Sequence, residues 1–495
     1  MSHKTREELG REAAGLWASV KDKALAPKDR MAIPAQDMAT RDPVSRAREM
    51  GEVALGYTEE QARVEAARCL QCKNRPCVAS CPVGVPIPEF IACVEKGEFK
   101  QAVDTIKTTN LLPAICGRVC PQEKQCQSTC TLGKSLKSVD KAVAIGRLER
   151  FVADWERENG LISTPEVAKE TGKKVAVIGS GPAGLTVAAD VRRAGHAVTV
   201  FEAFHKTGGV MVYGIPEFRL PKAIVQKEVE VLKSMGVEFR TNFLVGRTET
   251  LAELLGREGF DAAFVGTGAG LPKFMDIPGE NLIGVFSANE YLTRANLMKA
   301  YDTAHAATPL FPAKVVGVVG GGNVAMDACR MALRLGAEKV YCIYRRTRDE
   351  MPARAEEVLH AEEEGVEFRF LQNPTRILAD ADGKVRAVEV LDYELGEPDE
   401  SGRRSPVAKK GTEHEIPVDA MIIALGNESN PLMAQTTEGL NVTKRGNIIV
   451  DPEQRTSIAR VWAGGDIVLG AATVILAMGE GRRAAASINQ YLEGK

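Results

Sequence analysis

Neither sign of charge dominates this chain. Its 495 residues carry 64 Lys and Arg against 66 Asp and Glu, a formal net charge of −2. That balance removes the electrostatic reason to expect a nucleic acid or a membrane surface as partner. No stretch offers the roughly 20 uninterrupted apolar residues that a membrane-crossing helix needs. The opening residues, MSHKTREELGREAAG, lack the apolar centre of a secretory leader, so the protein is expected in the cytoplasm. Low-complexity tracts are missing too. Cysteine is scarce outside one block: nine of the eleven lie between Cys69 and Cys130, and only Cys329 and Cys342 stand beyond it. In a reducing compartment such a dense block reads as a metal or cluster site rather than a disulfide framework.

The length suggests three domains. Residues 1–50 are polar with no strong period and read as an arm that packs on something larger. Thr58 followed by Gln61 is a capping box opening a short helix, TEEQARVEAARCL, which delivers Cys69 and Cys72 at its end. One further helix is predicted through PEFIACVEKGEFKQAVDTI, with Cys93 on it as a small buried side chain. After Cys130 comes the helix VDKAVAIGRLERFVADWEREN and then a linker. From Lys173 β-rich runs alternate with helical stretches, first VAVIG, AVTVFEA, VEFRTN and AAFVGTG, then VVGVVGGG, VYCIYRR, VEFRFLQ and AMIIALG. This is the pattern of a doubly wound α/β fold, met twice. Residues 396–412 are polar and read as a surface loop or hairpin tip.

The first α/β series opens with KKVAVIGSGPAGLTVAADVRRAGHAVTVFEA. A strand runs into Gly179, Gly181 and Gly184 at GxGxxG spacing, a helix follows, and a second strand ends on Glu202. The glycines permit a tight turn, a close backbone approach to a pyrophosphate and close helix–strand packing, and Glu202 is placed to accept from a ribose hydroxyl. The second series repeats the pattern at Gly320, Gly322 and Ala325, with Asn323 between them, but its second strand ends on Arg345-Arg346-Thr347-Arg348. Guanidinium groups there suit the 2′-phosphate of NADP, and Arg346→Ala is expected to weaken NADPH much more than NADH. Two dinucleotide folds in one chain suggest a bound flavin and an exchangeable nicotinamide.

The segment TSIARVWAGGDIVLGAATVILAMGEGRRAAASI resembles the closing motif of flavoproteins with two dinucleotide domains. The resemblance sets Asp466, after Gly465, against the ribityl chain of FAD and turns the helix start at Thr473 toward the flavin ring. VGTGA and IALGN resemble the strands by which such chains cross between domains. The implied layout inserts the NADP(H)-binding domain, residues 291–424, into an FAD-binding domain of residues 173–290 and 425–495, as in glutathione-reductase-like proteins. Cys329 and Cys342 have no neighbouring cysteine to form the redox pair of a disulfide reductase, so electrons must leave the flavin another way.

The cysteine block offers that way. Its spacings are Cys69-x2-Cys72-x4-Cys77-x3-Cys81-Pro82 and Cys116-x3-Cys120-Pro121 followed by Cys126-x3-Cys130. Thiolates so spaced, with Cys-Pro pairs, suit [4Fe–4S] clusters, and eight match the demand of two. Zinc is the rival for four thiolates at such spacing. CLQCKNRPCVASCPVGVPIPEFI, LPAICGRVCPQEKQCQSTC, IGRLERFVADWE, YGIPEFRLPK and both nucleotide motifs together resemble one family over residues 50–495. It contains the glutamate synthase small subunit, the large subunit of NADH-dependent ferredoxin:NADP oxidoreductase and the N-terminal half of dihydropyrimidine dehydrogenase. The resemblance implies a helical domain, residues 51–160, in which Cys69, Cys72, Cys77 and Cys130 hold one cluster and Cys81, Cys120, Cys126 and Glu149 the other. Cys116 is then a reserve ligand, against the simple count of eight. YGIPEFRLPK resembles the family's loop over the flavin, making Gly209 and Arg219 candidates to touch FAD.

The form ICGRVCPQEKQC resembles the versions found in anaerobes, whereas the aerobic glutamate synthase small subunit lacks a cysteine at the Cys116 position. Glutamate formation needs a glutamine-cleaving nucleophile and a barrel of about 250 residues, for which this chain has neither residue nor room. The expected function is an NADP(H)-dependent oxidoreductase subunit passing electrons between NADPH, FAD and two [4Fe–4S] clusters to or from a partner. That partner is a second flavoprotein subunit, ferredoxin or a glutamate synthase large subunit, within a hetero- or homo-oligomer. The alternatives are the NADPH-oxidising small subunit of a glutamate synthase and, from another class, a docking module with structural clusters.

Overall fold

The computed structural model describes residues 4–400 and 402–494. The two strand series form two five-stranded sheets, every neighbouring pair parallel. In the first, the order is Val461–Ala463, Ala262–Val265, Lys174–Ile178, Ala197–Phe201 and Glu238–Arg240. In the second it is Val285–Ser287, Ala420–Ile423, Val315–Val319, Lys339–Tyr344 and Glu367–Phe370. The strands Lys174–Ile178 and Ala197–Phe201 are buried at every position but the first, as parallel strands covered on both faces must be. The first sheet takes its edge strand, Val461–Ala463, from beyond every strand of the second, so the second domain sits inside the first. The chain crosses between them at Leu271–Pro272 and Asn427–Glu428, which pair antiparallel. The inner domain therefore starts near that ribbon and not at residue 291: Val285–Ser287 pairs with Ala420–Ile423 and belongs to the second sheet.

Residues 396–412 turn out to be part of a further antiparallel sheet on the inner domain. Gln372–Ala379, Val385–Pro398, Arg404–Ala408 and His414–Pro417 build it, and the tip of its long hairpin spans the polar stretch.

The N-terminal third is helical. The capping box forms as expected, Thr58 accepting from Gln61 N and Gln61 from Thr58 N, on the helix Glu59–Ala67. The single helix expected over residues 88–106 is two, Ile87–Lys96 and Phe99–Lys107. Gly97, at φ +85°, ends the first in the left-handed region, its N–H bonded back to Val94 O, a C-cap open to glycine at little cost. The arm holds a helix, Arg6–Val20, with its own capping box on Thr5 and Glu8. Ala13 and Trp17 pack on Val64 and Ala67 of the next helix.

One apolar core joins the helical third to the outer α/β domain, running from Phe90, Ile91 and Ile106 through Leu185 and Val187 to Trp462 and Ile475. The inner domain has a separate core, entered by Val53 from the N-terminal segment and Phe218 from the YGIPEFRLPK loop.

Candidate functional site

At the first dinucleotide loop, Gly181 caps the helix Pro182–Arg193, and a side chain there would meet open space. Gly209 lies against it: a Cβ on Gly209, whose φ is +57°, would come within 2.7 Å of Gly181 Cα. Glu202 is buried at the strand end, where its carboxylate accepts from Ser180 N at 3.0 Å, from Ser180 Oγ and from Phe204 N at 2.9 Å. Asp466, next to Gly465, is buried enough to push its carboxyl up to about 6, against a hydrogen bond from the Ala472 N–H. Thr473 caps the helix Val474–Leu492 through Leu476 N. Tyr213 was not singled out in the sequence. Its hydroxyl is pushed up to about 12 by burial and then by the nearby Asp466 and Glu202 carboxylates. The tyrosine of YGIPEFRLPK was the available signal. The glycine cradle open to space, the buried Glu202 and half-buried Asp466 carboxyls and the nearby tyrosine fit a dinucleotide whose pyrophosphate lies on the helix start.

Arg219 does not join this group. Its Nη1 donates to both oxygens of Asp327 at 2.8 and 2.7 Å, and its Nε lies 3.1 Å from Glu357. Both carboxylates belong to the inner domain, so Arg219 docks the YGIPEFRLPK loop on that domain. Phe218 beside it lies under the guanidinium groups of Arg330 and Arg334, 4.6 and 3.8 Å from the ring centre.

The second dinucleotide loop is built like the first. Gly320, at φ +140°, presses on Ala424 O, while Gly322 opens onto nothing nearer than Pro352 Cγ at 3.9 Å. Ala325 is buried in the helix Asn323–Arg334. Asn323 Oδ1 accepts from Arg354 N at 2.9 Å. At the strand end Arg345 is exposed, whereas Arg346 is buried and ion-paired with Asp399, Nη2 to Oδ2 at 2.7 Å. Arg348, which closes the basic run, pairs with Glu362.

The cysteines fall into two groups, and the grouping follows the interleaved order rather than the order along the chain. Cys69, Cys72, Cys77 and Cys130 are half-buried. Burial pushes Cys69 up to about 12 and Cys77 to about 11, and the neighbouring thiols of Cys130 and Cys72 push both further up. Cys81, Cys120, Cys126, Cys116 and Glu149 line one cavity with Asn110 and Ile475. There Cys116, Cys120 and Cys126 are buried, and burial lifts the Glu149 carboxyl to about 8 against a hydrogen bond from Asn110. Asn110 is wholly buried and reaches both contenders: Nδ2 donates to Glu149 Oε1 at 2.6 Å, and Oδ1 lies 3.7 Å from Cys116 Sγ. Cys116 Sγ is also 3.7 Å from Met478 Sδ on the C-terminal helix. A Cβ on Gly479 would come within 2.9 Å of Pro82 O, so the helix that starts at Thr473 is pressed onto the loop after Cys81. Cys93 is buried in the core outside both groups, as expected. Soft thiol ligands in two sets, four of them around one cavity, fit the ligand preference of iron–sulfur clusters.

Two family models match the chain. Residues 46–161 match dihydropyrimidine dehydrogenase domain II, 4Fe-4S cluster, and residues 173–481 match pyridine nucleotide-disulphide oxidoreductase. The small chain of the NADPH glutamate synthase of Escherichia coli K12 is 38% identical over 90% of this chain and 94% of its own length. The NADP(+)-dependent formate dehydrogenase subunit beta of Moorella thermoacetica is 40% identical over 84% of this chain, which spans 60% of that protein. The NADPH-Fe(3+) oxidoreductase subunit beta of Geobacter sulfurreducens is 34% identical over 84% of this chain and 64% of its own. Among solved structures, Mycobacterium tuberculosis FprA in complex with NADPH matches 65% of this chain and 85% of its own at a TM-score of 0.54 and 19% identity, a likeness of fold.

Proposed function

The chain belongs to the pyridine nucleotide-disulphide oxidoreductase family and, within it, to the relatives of the NADPH glutamate synthase small chain, and from that premise we propose how its residues divide the work. It is an NADP(H)-dependent flavin and iron–sulfur oxidoreductase. When bound, FAD exchanges hydride with NADPH and single electrons with [4Fe–4S] clusters, which relay them one at a time.

Gly179, Gly181, Gly184 and Gly209 form the FAD cradle, Glu202 holds the adenosine ribose, and Asp466, Gly465 and Thr473 bind the ribityl and ring side with Tyr213. Gly320, Gly322, Asn323 and Ala325 cradle NADP(H), and Arg345 and Arg346 face its 2′-phosphate. Cys81, Cys120, Cys126 and Glu149 hold a cluster in the closed cavity, and Cys69, Cys72, Cys77 and Cys130 hold a second nearer the surface. The observation that carries the reading is the C-terminal helix: its N-cap, Thr473, belongs to the flavin site, while Ile475 lines the thiol cavity, Met478 meets Cys116 and Gly479 packs on the loop after Cys81. One helix thus serves both sites, with Thr473 and Met478 roughly 8 Å apart along its axis, and the half-buried thiol set marks the exit.

The named relatives are chains or subunits of larger assemblies, so a redox partner protein accepts or supplies the electrons at that exit. We assign that role to a second flavoprotein subunit or ferredoxin, in the cytoplasm. A glutamate-forming large chain is the second reading, favoured by the small chain that matches nearly end to end. The test is anaerobic titration with NADPH: bleaching of the flavin and of the broad cluster absorbance is expected, and an unbleached spectrum refutes electron transfer and leaves the docking-module reading. Native purification with identification of the co-purifying chains decides between the partners.

A further inference from the structure

The strand end that faces the 2′-phosphate is already answered from within the chain. Arg346 Nε donates to Arg404 O at 2.7 Å and Nη2 to Asp399 Oδ2 at 2.7 Å. Asp399 and Arg404 bracket the tip of the long hairpin made by Val385–Pro398 and Arg404–Ala408. The tip is tight: Asp399 N donates to Arg403 O at 2.7 Å, Gly402 N to Asp399 O at 2.8 Å, and Arg403 N to Asp399 Oδ1 at 3.2 Å. The Asp399 carboxylate is therefore fixed from two directions, by its own turn and by Arg346. Arg345, one residue earlier, is exposed and makes no ion pair among the described residues.

We propose that the hairpin tip is a built-in competitor for the 2′-phosphate of NADP, with Asp399 the residue that sets how strongly the site prefers NADP over NAD. This rests on the reading of the second dinucleotide fold as the NADP site. A 2′-phosphate carries close to two negative charges. Within hydrogen-bond reach of Arg346 it stands about one guanidinium width from a carboxylate, and that repulsion cancels a good part of the attraction. Arg345 is the cation openly offered, and the nucleotide gains Arg346 only by sharing it with Asp399 or by lifting the tip away. Basic residues at a strand end thus overstate the preference, because the neutralising charge arrives from residues more than fifty positions along the chain.

Asp399→Asn removes the charge while its amide oxygen can still accept from Arg346, at the loss of the bond from Arg403 N. Binding of NADP⁺, NAD⁺ and 2′,5′-ADP is measured by calorimetry on the intact, cofactor-loaded protein. Asp399→Asn is expected to tighten NADP⁺ and 2′,5′-ADP roughly 3- to 10-fold and leave NAD⁺ unchanged, and the gain should vanish in the Arg346→Ala/Asp399→Asn double variant. NADP⁺ binding that is unchanged or weaker in Asp399→Asn overturns the proposal. Arg345→Ala and Arg346→Ala separate the two ideas. If each alters NADP⁺ and NAD⁺ equally, the assignment of the NADP site has failed; if both discriminate while Asp399→Asn does nothing, only the competitor has.

Discussion

At the scale of single residues, the closed thiol cavity holds one more ligand than a cluster can take. Glu149 and Cys116 both reach it, and Asn110 addresses each with a different end of one amide. The donor end faces the carboxylate and fixes its orientation, while the thiol of Cys116 finds an acceptor in Asn110 Oδ1 and a soft neighbour in Met478. A thiol already engaged by those neighbours is the natural reserve. Glu149→Ala is therefore expected to remove one of the two cluster EPR signals and lower the iron content, and Cys116→Ala to keep both. The reverse pattern would make Cys116 the ligand. The thiol spacings made the cysteines legible in the sequence. The choice between a carboxylate and a spare thiol was not, because it depends on Asn110, whose contact with Glu149 spans 39 positions.

Among elements, the meeting of Phe99–Lys107 with the helices Pro182–Arg193 and Lys222–Ser234 leaves a cavity of about 220 Å³, lined by Leu111, Leu185, Val231 and Met235. Glu228 lies in its wall, and burial pushes its carboxyl up to about 7, with Lys107 pulling it down and Glu156 pushing it further up. A carboxyl raised in the folded state favours the protonated fold, so its contribution is present at low pH and lost as pH rises from the ordinary carboxylate range through about 7. Ionised, it costs the fold about 1–2 kcal/mol. Glu228→Gln should raise the melting temperature at pH 8 and leave it unchanged at pH 4, and equal shifts at both would remove burial as the cause. At this scale much was legible: strands buried on both faces read as unbroken apolar runs, and the Thr58 capping box marked its helix. The break at Gly97 was not, since the apolar period continues across it from Val94 to Val103 and only backbone conformation divides the two helices.

In the whole molecule the inner domain is held on three sides. Arg46 of the arm pairs with Glu363 at 2.6 Å and Glu364 at 3.0 Å, and Arg48 donates to Leu333 O and Ala337 O. Arg354 reaches Arg118 O at 2.6 Å in the helical third, and the Phe218–Arg219 plug enters from the outer domain. Glu364 is the hub, shared by Arg46, Arg330 and Arg334. Burial pushes its carboxyl up, but the Arg330 and Arg334 guanidiniums bring it down to about 2. A carboxylate lowered in the folded state stabilises above the ordinary range and loses that contribution as pH falls from about 4.5 through about 2. Glu364→Gln leaves the buried Arg334 without a counter-charge and takes one of two carboxylate partners from Arg46 and Arg330, which keep Glu363 and Glu357; it is expected to cost about 3 kcal/mol, read as a lower urea midpoint. An unchanged midpoint would mean that the arm does not hold the domain. This docking was invisible in the sequence, where YGIPEFRLPK was read as a flavin loop. Arg219 meets Asp327 across 108 positions, and no local pattern encodes so distant a partner.

The closed thiol cavity also sets a schedule for biosynthesis. Its wall is finished by Ile475 and Met478, on the order of 300 residues after Cys130 leaves the ribosome. At typical rates of synthesis that interval lasts tens of seconds. Throughout it Cys81, Cys116, Cys120 and Cys126 lack the packing that Ile475 and Met478 bring, and the cavity takes its final form only with the last helix.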